Sequence, residues 1–435
     1  MTGPMNATEI RGGAIAALAA AVMVAACSNA PDKSVAEGSD KLAAVAPAGQ
    51  TAPPAAAAPA SPSAAAPAPP PVLPYDHAVL AAANNLLGKA QLPAPAGGAR
   101  YPVVIDPLID GMTGAQSAAT QDMGKRIVTL IREKYPQYEV LPFSAANVAK
   151  APLVLIGTFT GVNKERKTVG LRESFRICLA LADLKSGKLV SKGLAFAQPA
   201  GVDITPARFF QDAPAITEDP STLGYIRTCQ GTKAGDPINA LYVDRIVAAS
   251  MIAEATDAYN ASKYADALTL YEGALRVPFG NQFRTFSGIY LSNWNLGRKD
   301  AAADAFGQMV DFGLENKRLG VKFLFRPGTT AFIAERKLNE PYPMWITEIA
   351  DRAGRRNSCL EITGHSSPSG PEPLNERLSQ LRAESIKGRL DKLAPSLTSR
   401  VIANGVGSRE ALIGNGRDDA SDALDRRVEF KVIGC

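Results

Sequence analysis

Histidine, serine, asparagine and arginine gather in one stretch of this chain, GHSSPSGPEPLNERLSQLRAESIKGRL, from Gly364 to Leu390. His365, Ser366 and Ser367 precede Gly370, and Asn375, Ser379 and Arg382 follow it. These groups exchange hydrogen bonds, and Arg382 offers the planar fork that matches a carboxylate in two parallel bonds. No nucleophile with a matching base stands out. The chain holds 2 histidines, His77 and His365, which leaves a zinc hydrolase or a Ser-His-Asp arrangement little to work with. His365 is expected to be mostly neutral at pH 7. No GxGxxG, P-loop, CxxC or HExxH motif occurs. No catalytic residue, metal site or cofactor is therefore expected. With 47 Lys+Arg against 42 Asp+Glu, a net charge of +5, the surface is too balanced to call for nucleic acid.

The 5 cysteines carry the remaining chemistry. Setting Cys27 aside leaves Cys178, Cys229, Cys359 and Cys435, an even number with three ways to pair. Cys178 and Cys229 bracket one stretch, and Cys359 and Cys435 sit at the ends of two expected strands. Local pairing, Cys178–Cys229 and Cys359–Cys435, is the expectation; four reduced core thiols are the alternative, which geometry decides.

The hydrogen-bonding stretch needs a strand before it and a helix within it. VKFLF (Val321–Phe325) reads as a first strand and DRRVEFKVI (Asp425–Ile433) as a last one. Together these elements resemble the signature of OmpA-like peptidoglycan-binding domains. There a strand ends in Gly-His-Thr-Asp, a glycine follows, and a helix reads Asn-x-x-Leu-Ser-x-x-Arg-Ala. Gly364, His365, Gly370, Asn375, Leu378, Ser379, Arg382 and Ala383 stand at that spacing, within roughly the final quarter of the chain. The resemblance implies a βαβαββ domain over 319–435 that takes the diaminopimelate stem peptide of peptidoglycan. It implies that the strand-ending Asp receives the diaminopimelate ammonium and the helix Arg its carboxylate. Here Ser366 replaces the Thr and Ser367 replaces the Asp. A hydroxyl accepts a hydrogen bond without charge, so this half of the site is weaker by ~1.5–3 kcal/mol. The implied contacts are His365, Ser366, Ser367, Asn375, Ser379 and Arg382; the plainer alternative makes Arg382 an exposed helix arginine.

Regular patterning starts at YPVVID (Tyr101–Asp106), a buried-strand candidate, followed by the loop PLIDGMTG. Next comes an amphipathic helix whose Met123, Ile127, Leu130 and Ile131 share one face. YEVLPF (Tyr138–Phe143), APLVLIGTF (Ala151–Phe159) and SFRICLALAD (Ser174–Asp183) read as strands, and Lys185-Ser186-Gly187-Lys188 turns the last into KLVSKGLAF. In SFRICLALAD, Phe175, Ile177, Leu179 and Leu181 alternate toward one side. The order resembles the periplasmic assembly-lipoprotein domain of the FlgO, CsgG and LpoB type, over 75–235. Asp106, Asp110, Gly111, Thr113, Gly114, Gly157, Thr158, Asp183, Ser186 and Gly187 carry that likeness, which implies protein binding or oligomerisation. The Asp110–Gly114 segment admits two readings: an anion cradle at a helix N-terminus, or a plain turn with a capped helix behind it.

Between these parts, 236–318 is expected to be helical. ASKYADALTLYEGALRVP (Ala261–Pro278) superposes on LGRKDAAADAFGQMV (Leu296–Val310), with Ala267 on Ala302 and Tyr271 on Phe306. The 35-residue offset resembles the tetratricopeptide period, so two repeats leaning on a neighbour are expected.

At the other end, Ala14–Ala26 is an apolar run too short to span a bilayer and suited to a signal-peptide core. Val24-Ala25-Ala26-Cys27 resembles a bacterial lipobox, which implies diacylation of Cys27; an ordinary cleaved signal peptide is the alternative. Ser28 resembles the residue that sorts lipoproteins to the outer membrane. The translation start is Met1 or Met5. From Cys27 to Pro74 the chain is rich in alanine and proline, a composition expected to give a disordered or polyproline tether. Its 47 residues after Cys27 would span roughly 145 Å at ~3.1 Å each, or about 40 Å as a flexible coil.

The expected whole is an α/β (α+β) multidomain chain: 1–26 signal peptide, 27–74 tether, 75–235 assembly-type α/β domain, 236–318 tetratricopeptide-like helical pair, 319–435 OmpA-like domain. Its expected role is non-enzymatic. An outer-membrane lipoprotein facing the periplasm would link the envelope to peptidoglycan and hold an unidentified envelope protein near the wall. The alternative is an assembly or secretion-complex lipoprotein whose OmpA-like domain only contacts protein.

Overall fold

The computed structural model of the chain describes residues 70–93, 96–216, 219–417 and 420–435. The signal-peptide segment, Cys27 and the tether up to residue 69 lie outside them.

The first sheet contains β1 (Val72–Leu73), β2 (Tyr101–Ile105), β3 (Ile109–Asp110), β4 (Tyr138–Leu141), β5 (Leu153–Val162), β6 (Ser174–Asp183) and β7 (Lys188–Ala197). Its order is β1-β7-β6-β5-β2-β4, with β3 beside β5. β5, β6 and β7 form an antiparallel meander, while β2 pairs in parallel with β4 and β5. β5 is buried along nearly its whole length because both sheet faces are covered. Ile177, Leu179 and Leu181 of β6 pack with Met123, Ile127, Leu130 and Ile131 of the Ala118–Lys134 helix and with the Tyr75–Gly88 helix. Cys178, Ala180 and Ala182 face the other way, onto Tyr225, Tyr242 and Ile246.

Two borders differ from the sequence reading. Val72 and Leu73, assigned to the tether, pair with Phe196 and Ala197, since they are the first apolar residues after the prolines. At the far side the unit runs past 235: Pro237 bridges Lys188, and the Tyr242 hydroxyl donates to Asp106 at 2.8 Å.

Two helical hairpins follow, Ile246–Asn260 with Tyr264–Leu275 and Phe283–Asn295 with Lys299–Glu315. Ala267, Tyr271, Ala302 and Phe306 are fully buried. The two hairpin turns also correspond: Ser262 (φ 63°) and Gly297 (φ 75°) both adopt the left-handed conformation that reverses the chain. Tyr271 lies on Gly288, where an added Cβ would come within 2.3 Å of its ring.

The second sheet contains β8 (Arg318–Leu324), β9 (Cys359–Gly364), β10 (Val401–Gly405) and β11 (Arg427–Ile433), in the order β10-β9-β11-β8. β10 runs parallel to β9, and the other pairs are antiparallel. The Tyr342–Arg355 and Glu372–Leu393 helices cover one face. No core border separates this sheet from the preceding helices. Phe306 stacks on Trp345 at 5.4 Å, and Trp345 Nε1 donates to the Tyr290 hydroxyl at 3.0 Å. The expected division at 318/319 therefore runs through one continuous core. Pro214–Ile216 runs along β8, with Lys322 N donating to Pro214 O and Ile216 N to Gly320 O, which closes that edge.

A disulfide joins Cys359 to Cys435 and ties the start of β9 to the chain end. Cys178 and Cys229 are buried free thiols, so the bridge expected between them is absent. Their sulfurs stand 2.7 Å apart, with the backbone carbonyls of both residues within 2.9 Å of the opposite sulfur.

Candidate functional site

The hydrogen-bonding stretch becomes a strand, a turn and a helix held very close together. Gly364 ends β9 and Gly405 ends β10, and both face the Glu372–Leu393 helix. A Cβ at Gly364 would lie 1.9 Å from Ser379 O, and one at Gly405 2.4 Å from Gln380 N. Only glycine lets the helix seat there. Ser379 is fully buried beneath it; its hydroxyl accepts from Gly407 N at 2.9 Å and donates to Glu376 O at 2.8 Å. His365 N donates to Arg427 O and Ser366 N to Gly407 O, which fixes the turn against both neighbouring strands. Gly370 (φ 82°) then directs the chain into the helix.

All six implied contact residues are brought together, and all are buried: His365, Ser366, Ser367, Asn375, Ser379 and Arg382. Ser367 and Ser369 hydroxyls lie 3.1 Å apart. Four polar atoms here, both His365 ring nitrogens, Ser366 Oγ and Asn375 Nδ2, are buried without a hydrogen-bond partner. Such groups are uncommon in folded proteins, and water or a ligand can satisfy them. Burial, aided by the Arg427 charge, pushes His365 down to about 2. Its ring is therefore neutral, and its nearest carboxylate oxygen, Glu410 Oε2, stands 3.8 Å away. Neither ring nitrogen engages a hydroxyl, so no Ser–His pair forms at the turn.

Arg382 departs from the exposed-arginine reading. It is neither exposed nor aimed at solvent but fully buried. Its Nε donates to Thr329 O at 3.0 Å, Nη1 to His365 O at 2.9 Å and Nη2 to Arg326 O at 3.0 Å. The guanidinium also sits 5.4 Å from the Phe325 ring centre. The carbonyls come from the turn after β8 and from the turn after β9, so Arg382 clasps the two turns together. The sequence reading missed Arg326 and Thr329; Arg326-Pro327-Gly328-Thr329, a breaker-rich run directly after VKFLF, was the available signal. Glu372 was missed as well: it accepts from Ser408 N at 3.0 Å and anchors the β10–β11 loop to the helix start.

The Asp110–Gly114 segment takes the plain reading. Asp110 Oδ1 accepts from Met112 N at 3.0 Å, from Thr113 N at 2.7 Å and from the Thr113 hydroxyl at 2.9 Å. The protein's own carboxylate thus occupies the donors an anion would need. Ser117 and Thr120 cap the helix behind it reciprocally. Among the described residues no group of three His, Cys, Asp or Glu could hold a metal, and no helix is long and apolar enough to cross a membrane.

No protein-family model matches the chain. It is 39% identical over 75 residues to outer membrane porin F of Pseudomonas fluorescens, covering 17% of this chain and 22% of that protein. It is 27% identical over 157 residues to outer membrane protein A of Serratia marcescens, covering 33% of this chain and 42% of the relative. The chain thus spans less than half the length of the curated relatives it matches. Among solved structures it is similar to the peptidoglycan-associated lipoprotein from Burkholderia pseudomallei, at 19% identity and a TM-score of 0.23. That likeness covers 26% of this chain and 89% of the other.

Proposed function

We propose that this protein is a non-enzymatic envelope protein whose C-terminal sheet and helices, 319–435, associate with peptidoglycan through the turn after β9. The observation that carries the reading is the cluster of buried, unpartnered polar atoms on His365, Ser366 and Asn375, beside the buried cation of Arg382. The sequence similarity to two outer-membrane proteins supports an envelope location. The ligand is the diaminopimelate stem peptide. Ser366, Ser367 and Asn375 offer it hydroxyl and amide contacts, while Arg382 supplies positive potential and holds the turns after β8 and β9 together. Cys27 carries the lipid anchor in the outer membrane, and the Ala/Pro tether spaces the folded part from it. A protein partner is held by the first sheet or by the helical hairpins, which act as a tetratricopeptide-like spacer.

One observation favours the second reading, a protein-contact module without wall binding. Arg382 is fully buried and already engaged by carbonyls, so the carboxylate contact implied for it requires the Arg326–Thr329 turn to move. Calorimetric titration with a diaminopimelate-containing muropeptide separates the two. Ser367→Asp places a carboxylate where the ammonium is expected, and affinity should rise about tenfold. No binding by either protein, with circular dichroism unchanged, assigns the domain to protein contact.

A further inference from the structure

We propose that the open side of β7 is a docking site for an extended acidic peptide, which joins the first sheet as an additional strand. β7 has β6 along one side. On its other side β1 pairs with Phe196 and Ala197 alone, and the 235–237 turn engages Lys188 and Leu189. Between them, the outer backbone of Val190–Ala195 has no backbone partner among the described residues. A strand edge left open in this way is a template for a further strand.

A cleft of about 600 Å³ runs beside that edge, lined by Val190–Leu194. Lys89, Arg176, Lys192 and Lys233 also line it, and no carboxylate does. Among the described residues none of the four is in an ion pair. Arg176 Nη2 donates to Gln230 Oε1 at 2.8 Å, while its Nε is buried without a hydrogen-bond partner. Lys192 Nζ donates to the Cys229 carbonyl and to Thr232 Oγ1 at 3.2 Å, so its charge sits at the cleft wall while Lys89 and Lys233 are exposed. Leu194, 47% exposed, adds an apolar contact on the same segment. Lysines alone can serve to keep an edge from aggregating. Here they surround a volume large enough to admit a peptide, and their charge selects an acidic one. Main-chain bonds would supply affinity, and the lysines and Leu194 would select side chains.

Fluorescence anisotropy on the full-length protein, with a labelled octapeptide alternating Glu and Val, tests this. Saturable binding is expected, weakening as salt rises. Lys89→Glu combined with Lys233→Glu, both exposed positions, should weaken it about tenfold. A strand presents its hydrogen bonds on alternate residues. Of two peptides N-methylated on the Glu or on the Val residues, one should therefore lose about tenfold and the other should not. Absence of binding, an unchanged affinity in the folded double variant, or equal behaviour of the two methylated peptides overturns the proposal. The last result would describe an anion cleft that adds no strand.

Discussion

Arg382→Ala should first of all destabilise the C-terminal part of the molecule. The guanidinium makes three bonds of 2.9–3.0 Å to the carbonyls of Thr329, His365 and Arg326. Bonds from a charged donor are worth ~1.5–3 kcal/mol each, and a side chain this large leaves a cavity when removed. Water entering the cavity and relaxation of the turn offset part of the loss. A net cost of about 4 kcal/mol is expected, a large share of the ~5–15 kcal/mol that holds a typical domain folded. Arg382→Lys should recover little of it, because a single ammonium cannot reach three diverging carbonyls. Urea unfolding followed by tryptophan fluorescence is the natural assay. The chain has 2 tryptophans, and both Trp294 and Trp345 belong to the core shared by the helical hairpins and the second sheet. A loss below about 1 kcal/mol with an unchanged denaturant slope would refute the clasp. If the clasp is real, reduced wall binding by Arg382→Ala reports a damaged fold, and ligand contacts must be tested elsewhere.

Three further outcomes follow from the geometry. Cys359→Ser removes a bridge closing a 76-residue separation and should cost about 4 kcal/mol by loop entropy, read from the same fluorescence transition. Burial raises Asp106 to about 7 from its ordinary 3.8, against the Tyr242 hydrogen bond. The unfolded chain gives up this proton near pH 4 while the folded sheet keeps it. Asp106 therefore stabilises fully below that pH, and about 4 kcal/mol is lost progressively as pH rises from about 4 to about 7. Hydrogen exchange of β2 should show that decline, and Asp106→Asn should flatten it. Gly405→Ala drives a Cβ to 2.4 Å from Gln380 N; a loss of ~1–3 kcal/mol is expected from thermal unfolding, and a neutral result would mean the helix is not seated there.

What the sequence disclosed depended on how local the cause was. VKFLF, DRRVEFKVI and the alternation in SFRICLALAD mark strands through residues a few positions apart, and β8, β11 and β6 lie on them. The 35-residue offset likewise placed Ala267, Tyr271, Ala302 and Phe306, all fully buried. Arg382 shows the limit. Its helix and neighbours were legible, but its burial was not, because two of its acceptors lie 53 and 56 residues earlier in a turn with no charge pattern to flag it. The merged core depended on Phe306 meeting Trp345, a contact no periodicity within either segment encodes. For Cys178 and Cys229 the sequence anticipated the proximity, with sulfurs 2.7 Å apart, while the structure holds them as free thiols.

The central claim is that the turn after β9 holds peptidoglycan, and co-sedimentation with purified sacculi tests it most directly. The variant to use is Ser366→Ala with Asn375→Ala, because Ser366 Oγ and Asn375 Nδ2 have no hydrogen-bond partner in the fold, so removing these two atoms breaks no bond in it. The account predicts that the parent chain sediments with sacculi and that soluble diaminopimelate muropeptides compete it off. It predicts that the double variant, unfolding at the same urea concentration, sediments about tenfold less well. Equal sedimentation by the two proteins, or none by the folded parent, would contradict it.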